Sequence, residues 1–267
     1  MTIDFKSAGL DYQQKVTTIA SKDPLFCKES DTINDVVEKI ISSGHRRIPI
    51  VSKKDAVVGV ITKSDILDAF LRKEDFNNKI SEIMTRDSIV CGSNETLQYA
   101  LQRFKLSRRG GFPITDGKRL VGMLSERDFV KQFLGTTKIG IKVEDVMTKK
   151  PLIIQPNLSV YDCLKIMVNS RYRRLPVVLD GKLVGIVTSE DMLKYIYDNK
   201  YSFEALDEPL EKLMVKDVFT VQKTDDISLA IKIMETKNIG GLLVADNNKK
   251  LEGIVTERDI LEKIENI

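Results

Sequence analysis

Four times in this 267-residue chain a Ser or Thr stands three residues before an Asp and three after a Gly: GVITKSD (59–65), GMLSERD (122–128), GIVTSED (185–191) and GIVTERD (253–259). The run before each alcohol is apolar and β-forming, and the residues after each Asp, such as Met192, Leu193 and Ile196, follow a period near 3.6. Hydroxyl and carboxylate therefore meet where a strand becomes a helix. One reading is structural: the alcohol accepts a backbone N–H and the acid reaches back, closing a capping box. The other is chemical. A helix start offers N–H donors and a positive dipole end to a phosphate, and a fixed carboxylate accepts two hydrogen bonds from a ribose diol. The recurring Gly gives up side-chain packing inside a strand, which points to something approaching the backbone there. Gly, hydroxyl and Asp together suit a nucleotide.

The elements around these motifs recur as β-α-β-β-α. In the first repeat they are a strand at PLFC (24–27), a helix from Thr32 to Ser43, strands at RIPIV (47–51) and VVGVIT (57–62), and a helix through Leu71. Four such units are expected at 16–72, 80–134, 143–197 and 211–267, after an extension at 1–15 that shows no period. Asp116-Gly117, Asp180-Gly181 and Asn247-Asn248 read as the hairpin turns of repeats 2, 3 and 4. One such unit buries too little core alone, so repeats 1 with 2 and 3 with 4 are expected to pair through their sheets, as modules 16–134 and 143–267. Odd and even repeats also differ. HRRIP and YRRLP precede the second strand in the odd ones, RRGGFP and KNIGGLL in the even ones, and the closing motifs read TKSD and TSED against SERD and TERD. The Arg directly before the second strand and the Arg beside the motif Asp thus alternate between odd and even repeats. These Arg residues either reach a shared anion, since a guanidinium fork suits phosphate oxygens, or pair with acids at a repeat interface.

On these motifs the chain resembles a tandem of four cystathionine-β-synthase (CBS) domains, two Bateman modules, over roughly residues 16–267. The resemblance implies an α/β (α+β) fold, and clefts in which the alcohol meets phosphate and the Asp holds the ribose of an adenine nucleotide. That role falls on Thr62, Ser64 and Asp65, on Ser125 and Asp128, on Thr188 and Asp191, and on Thr256 and Asp259. Arg46, Arg47, Arg173 and Arg174 match a basic pair that reaches phosphates in relatives like the γ subunit of AMP-activated kinase, and Arg127 and Arg258 stand beside the motif Asp. For the base, the resemblance supplies a Thr before the first strand and an apolar residue within it: Thr85 with Val90, and Thr148 with Ile153. Repeat 1 departs with Ser21 and Phe26. Repeat 4 departs with Val215 and Thr220, and with Leu242 at the place of Pro49, Pro113 and Pro176.

Composition narrows the alternatives. Forty-two basic and 39 acidic residues leave a net charge of +3, so no global attraction to polyanions is implied. Cys27, Cys91 and Cys163 form no CxxC pair and read as buried small hydrophobes. No apolar run reaches the 18 residues of a membrane span and the start lacks a signal-like pattern, so a cytoplasmic protein is expected. The single histidine, His45, lies among arginines and in no triad. The expectation is a non-enzymatic, energy-sensing regulatory protein. It requires no cofactor, takes AMP, ADP or ATP as ligand, with S-adenosylmethionine or a dinucleotide also open, and signals to a separate regulated protein. The alternative is a ribosome- or RNA-associated hibernation-type factor using the HRR, SRR and RYRR clusters. The helix stripes Ile66, Leu67, Phe70 and Met192, Leu193, Ile196 need a cover, which predicts a flat disc of four repeats within one chain or as a homodimer.

Overall fold

The computed structural model describes residues 2–3, 9, 11–86 and 88–264. After β1 (Ser21–Lys22), repeat 1 runs β2 (Cys27–Lys28), α1 (Ile33–Ser43), β3 (Arg47–Val51), β4 (Val57–Thr62) and α2 (Lys63–Leu71). Repeat 2 follows the same order: β5 (Thr85–Arg86), β6 (Cys91–Gly92), α3 (Leu97–Ser107), β7 (Gly111–Asp116), β8 (Arg119–Ser125) and α4 (Glu126–Val130). Repeat 3 comprises β9 (Thr148–Lys149), α5 (Val160–Ser170), β10 (Arg174–Leu179), β11 (Lys182–Thr188) and α6 (Ser189–Asp198). Repeat 4 comprises β12 (Thr220–Val221), α7 (Ile227–Thr236), β13 (Gly241–Ala245), β14 (Leu251–Thr256) and α8 (Glu257–Lys263).

Local chemistry explains these boundaries. Thr32 caps α1 and forms a box with Asp35, and Gly44 ends the helix at φ 70°. The hairpins turn on left-handed residues: Gly117 at 58°, and Asp180 with Gly181 at 48° and 76°. In repeat 4 that residue is Lys249 at 63°, not Asn247 or Asn248. The carboxylate of Asp246 accepts the Asn248 and Lys250 amides and holds the loop. The register also moves one assignment. Gly111 pairs with Ser125 and Gly241 with Thr256, so Leu243, not Leu242, occupies the place of Pro113.

Each sheet borrows its far edge. β1 pairs with β8 of repeat 2, β5 with β4 of repeat 1, β9 with β14 of repeat 4, and Val215 bridges Ile186 of repeat 3. Repeats 1 and 2 therefore trade opening strands, and so do repeats 3 and 4. The segment before each strand follows it. Within 11–16, the Gln14 and Tyr12 carbonyls accept the Leu97 and Gln98 amides at the start of α3, and Tyr12 and Val16 are buried. The described part of the 1–15 extension thus belongs with repeat 2, and Ile3 bridges Ile264 at the end of repeat 4.

The chain forms two compact units: unit 1 is 1–24, 89–151 and 219–267, and unit 2 is 25–88 and 152–218. Unit 1 holds the bulk of repeats 2 and 4 around one apolar cluster in which Phe104, Phe112, Phe129 and Phe133 are fully buried. Unit 2 holds the bulk of repeats 1 and 3 around a second cluster. The stripes Ile66, Leu67, Phe70 and Met192, Leu193, Ile196 all lie in this second cluster at 3% exposure or less. Helix against helix within unit 2 supplies their cover. Cys27, Cys91 and Cys163 are buried free thiols, as their apolar settings predict.

Candidate functional site

The closing motifs form the capping box in all four repeats. The alcohol's backbone N–H and hydroxyl both donate to Oδ2 of the Asp, at 2.8 and 2.7 Å for Thr62–Asp65, Ser125–Asp128 and Thr188–Asp191, and at 2.8 and 2.5 Å for Thr256–Asp259. In repeats 1, 3 and 4 the Asp amide donates back to the hydroxyl at 3.3 to 3.4 Å. The first helical amide is also engaged: Lys63, Glu126, Ser189 and Glu257 donate to the carbonyls of Arg46, Gly110, Arg173 and Gly240 at 3.0 to 3.4 Å. In repeats 1, 3 and 4 two of the first three helical amides are thus engaged by the protein itself, and in repeat 2 at least the first, so fewer donors face outward than an uncapped helix start would offer.

The box leaves Oδ1 as the ligand-capable oxygen, and the repeats treat it differently. Asp128 Oδ1 lies 3.1 Å from Lys131 Nζ, and Asp259 Oδ1 accepts the Thr148 hydroxyl at 3.3 Å. At Asp191 the Thr188 amide and hydroxyl both end on Oδ2. Burial pushes the carboxyls of Asp191 and Asp259 above the ordinary carboxylate value, against the opposing pull of their Thr hydrogen bonds.

The strand Gly answers to the protein's own backbone. A Cβ on Gly59 would stand 2.7 Å from Met84 Sδ and 2.9 Å from the Thr85 carbonyl, and one on Gly253 2.8 Å from both Met147 Sδ and the Thr148 carbonyl. At Gly122 and Gly185 the carbonyls of Ser21 and Val215 lie 2.9 Å away. The group that approaches each glycine is the borrowed edge strand, not a ligand. The sequence carried a usable signal in the Met that precedes Thr85, Thr148 and Val215.

Of the two readings open for Arg127 and Arg258, the structure shows ion pairs. Arg127 Nε lies 3.2 Å from Glu235 and 3.5 Å from Glu257, its Nη2 donates to the Met234 carbonyl at 3.0 Å, and Nη1 donates to Asn238. Arg258 pairs through Nε with Glu126 and donates from Nη1 to the Phe104 carbonyl at 3.2 Å. Both guanidiniums face acids inside unit 1. The odd-repeat arginines are placed otherwise. Arg47 is the cross-strand partner of Thr62 and Arg174 that of Thr188, positions that Gly111 and Gly241 fill opposite Ser125 and Thr256. Directly opposed residues project from one face, so register sets half-buried Arg47 and Arg174 beside the alcohols. Arg46 and Arg173 are half-buried on the turn before the strand, and His45 is exposed.

The pairs expected at the base divide between the units. Thr85 closes the sheet of repeat 1 in unit 2, whereas Val90 lies in unit 1, its carbonyl bonded by Arg103. Thr148 closes the sheet of repeat 4 in unit 1, while Ile153, 50% exposed, lies in unit 2.

Four repeats with one strand-helix closing motif, each lending an opening strand to a neighbour, match a known architecture. The CBS-domain profile covers residues 16–72, 80–135, 143–198 and 210–266. The chain belongs to the CBS-domain family. Protein MJ1225 of Methanocaldococcus jannaschii, uncharacterized, is 30% identical over 257 residues, 86% of this chain and 91% of its own length. The crystal structure of MJ1225, described as a candidate archaeal homologue of g-AMPK, superposes with a TM-score of 0.86 at 29% identity and covers 93% of this chain and 99% of its own. An uncharacterized 33.4 kDa protein in the ribosomal RNA operon of Thermofilum pendens is 27% identical over 260 residues, 88% of this chain and 86% of its own length.

Proposed function

We propose that this CBS-domain protein is a non-enzymatic regulatory module that binds adenosine-containing nucleotides and signals to a separate partner chain, with the motifs of unit 2 as its principal ligand groups. The observation that carries this reading is the register of the odd repeats, where Arg174 stands opposite Thr188 and Arg47 opposite Thr62, each alcohol boxed to an Asp. A ribose diol donates to Oδ1 of Asp191 or Asp65, and the guanidiniums of Arg47 and Arg174, with Arg46 and Arg173, take the phosphate oxygens. In unit 1 Asp128 Oδ1 meets Lys131, Asp259 Oδ1 accepts Thr148, and the motif arginines pair with acids. Thr85 and exposed Ile153 remain candidates for the base in unit 2. Bound ligand influences the partner through its differential affinity for two conformations, typically ~1–3 kcal/mol of coupling.

Titration calorimetry of the purified chain against adenosine, AMP, ADP, ATP and S-adenosylmethionine tests the reading. Phosphate-bearing ligands bind more tightly than adenosine. Equal affinity for AMP and adenosine removes the phosphate role of the arginines, and no binding by any of the five removes the reading as a whole.

A further inference from the structure

The two residues between alcohol and aspartate differ among the four repeats, and their contacts follow a single rule. The first of them in one repeat meets the second in its packing partner. In unit 1, Glu126 pairs with Arg258, and Glu257 lies 3.5 Å from Arg127. In unit 2, Lys63 lies 3.0 Å from Glu190. The remaining pair under this rule, Ser64 with Ser189, is uncharged. The first positions are buried, Glu126 and Glu257 at 3% exposure, Lys63 at 5% and Ser189 at 8%, so an unmatched charge there has no route to water.

We propose that these two positions are a pairing code by which each closing helix accepts one partner repeat within the chain and rejects the others. The rule can be applied to the pairings that do not occur. Repeat 1 against repeat 4 would set Lys63 against Arg258, and repeat 1 against repeat 2 would set Lys63 against Arg127. Repeat 3 against repeat 2 would set Glu190 against Glu126, and repeat 3 against repeat 4 would set it against Glu257. Each wrong odd-even match brings like charges together, whereas 1 with 3 and 2 with 4 bring opposite ones. Apolar stripes give little basis for this choice, because all four helices bury large hydrophobic side chains at the same two positions: Ile66 and Leu67, Phe129 and Val130, Met192 and Leu193, and Ile260 and Leu261. Four copies of one fold in one chain need a device that prevents misassembly, and charge repulsion against a buried first position is such a device, even where its partner, as at 62% exposed Glu190, reaches water.

The code can be separated from simple stabilisation by one double substitution in the full chain. Lys63→Glu with Glu190→Lys retains an opposite-charge pair between repeats 1 and 3. It also sets a carboxylate at position 63 that is complementary to Arg258, and an ammonium at position 190 that is complementary to Glu126, so discrimination is lost while the native pair survives. A Ser64→Cys, Ser189→Cys pair reports the correct match as an intramolecular disulfide, and the native thiols are buried. After refolding from denaturant and oxidation, the reporter in the wild-type background closes almost completely. In the charge-swapped background the closed fraction falls to roughly half, as expected when two pairings become nearly equal in energy. Refolding to the same closed fraction in both backgrounds overturns the proposal, since it would show that apolar packing alone selects the partner. A fall in the swapped background that persists when Arg258→Lys and Glu126→Asp are added supports it, because those two changes keep the signs of unit 1.

Discussion

Units 1 and 2 are built from the same repeat and use its closing motif differently. In unit 1 the alcohol-Asp box is surrounded by internal partners: Lys131 on Asp128, Thr148 on Asp259, and two crossed Arg-Glu pairs between α4 and α8. In unit 2 the Lys63–Glu190 ion pair joins the closing helices, and the arginines stand on the preceding strand opposite the alcohols. The difference teaches that the box itself is structural in every copy. What differs between the copies is where their cations come from. The Arg of the motif helix pairs with an acid of the packed repeat in unit 1, and the Arg of the preceding strand is the cross-strand partner of the alcohol in unit 2.

This contrast breaks most visibly at Arg258. Arg258→Glu sets a carboxylate against Glu126, 3% exposed, and unit 1 should lose about 3–5 kcal/mol, the usual cost of leaving a buried charge unpaired. Denaturant titration would read this as a lower midpoint, and an unchanged midpoint would mean that the ion pairs of unit 1 are incidental. Asp191→Ala is the matching change in unit 2. Loss of a charged hydrogen bond, ~1.5–3 kcal/mol, lowers adenosine-ligand affinity by roughly 10- to 150-fold, whereas Asp128→Ala leaves affinity within about threefold while removing a cap worth ~0.5–2 kcal/mol of stability. Equal losses of affinity in the two variants, measured by calorimetry, would erase the functional distinction between the units.

Arg174→Ala should cost roughly tenfold in affinity for AMP, the lower part of the range for a charge-assisted contact, and leave adenosine unchanged. A parallel loss for both ligands would mean that Arg174 supports the strand and not the phosphate.

Acidification gives a smaller effect with two signs. The folded carboxyl of Asp191 sits above its ordinary value, so the fold holds the proton more tightly than the unfolded chain does. As pH falls from neutrality through that raised value, the contribution of Asp191 to stability therefore rises, while diol binding, which needs the carboxylate, weakens. The same rise in stability comes from Asp259, whose carboxyl is also raised. Binding that holds constant down to the ordinary carboxylate range would remove Asp191 from the ligand contacts. The smallest effect is at Cys163, whose thiol burial pushes up to about 12. It should resist alkylation at about pH 8 in the folded chain and react on unfolding, a difference that mass spectrometry resolves.

Much of the fold was legible because its signals are local. The apolar periods, Thr32 before α1, and Asp116-Gly117 in a hairpin each act within a few residues, and they predicted elements close to those observed. The motif Asp and its alcohol were legible as a pair for the same reason. What the sequence hid depends on which strand meets which. Gly59 looks like a site of ligand approach until Thr85, 26 positions later (85 − 59), is seen to close the sheet against it. Arg127 and Arg258 were open to two readings because their acids, Glu257 and Glu126, lie over a hundred positions away in another repeat. Leu242 reads as the counterpart of the prolines, one residue short of Leu243, because KNIGGLL has no proline to mark the position that the other repeats mark.

The borrowed edges also set a timetable for synthesis. Ser21 is made 102 residues before its partner Met123 (123 − 21), and Ile3 waits 261 residues for Ile264 (264 − 3). At about 5–20 residues per second, β1 emerges about 5–20 s before its partner in β8, and Ile3 about 13–50 s before Ile264. A chain arranged in this way cannot fold one repeat at a time as it leaves the ribosome. Buried Tyr12 and Val16 must be shielded until α3 of repeat 2 arrives, and Ile3 until the end of repeat 4, so synthesis rate and chaperone supply should govern the yield of this protein more than the stability of any single repeat.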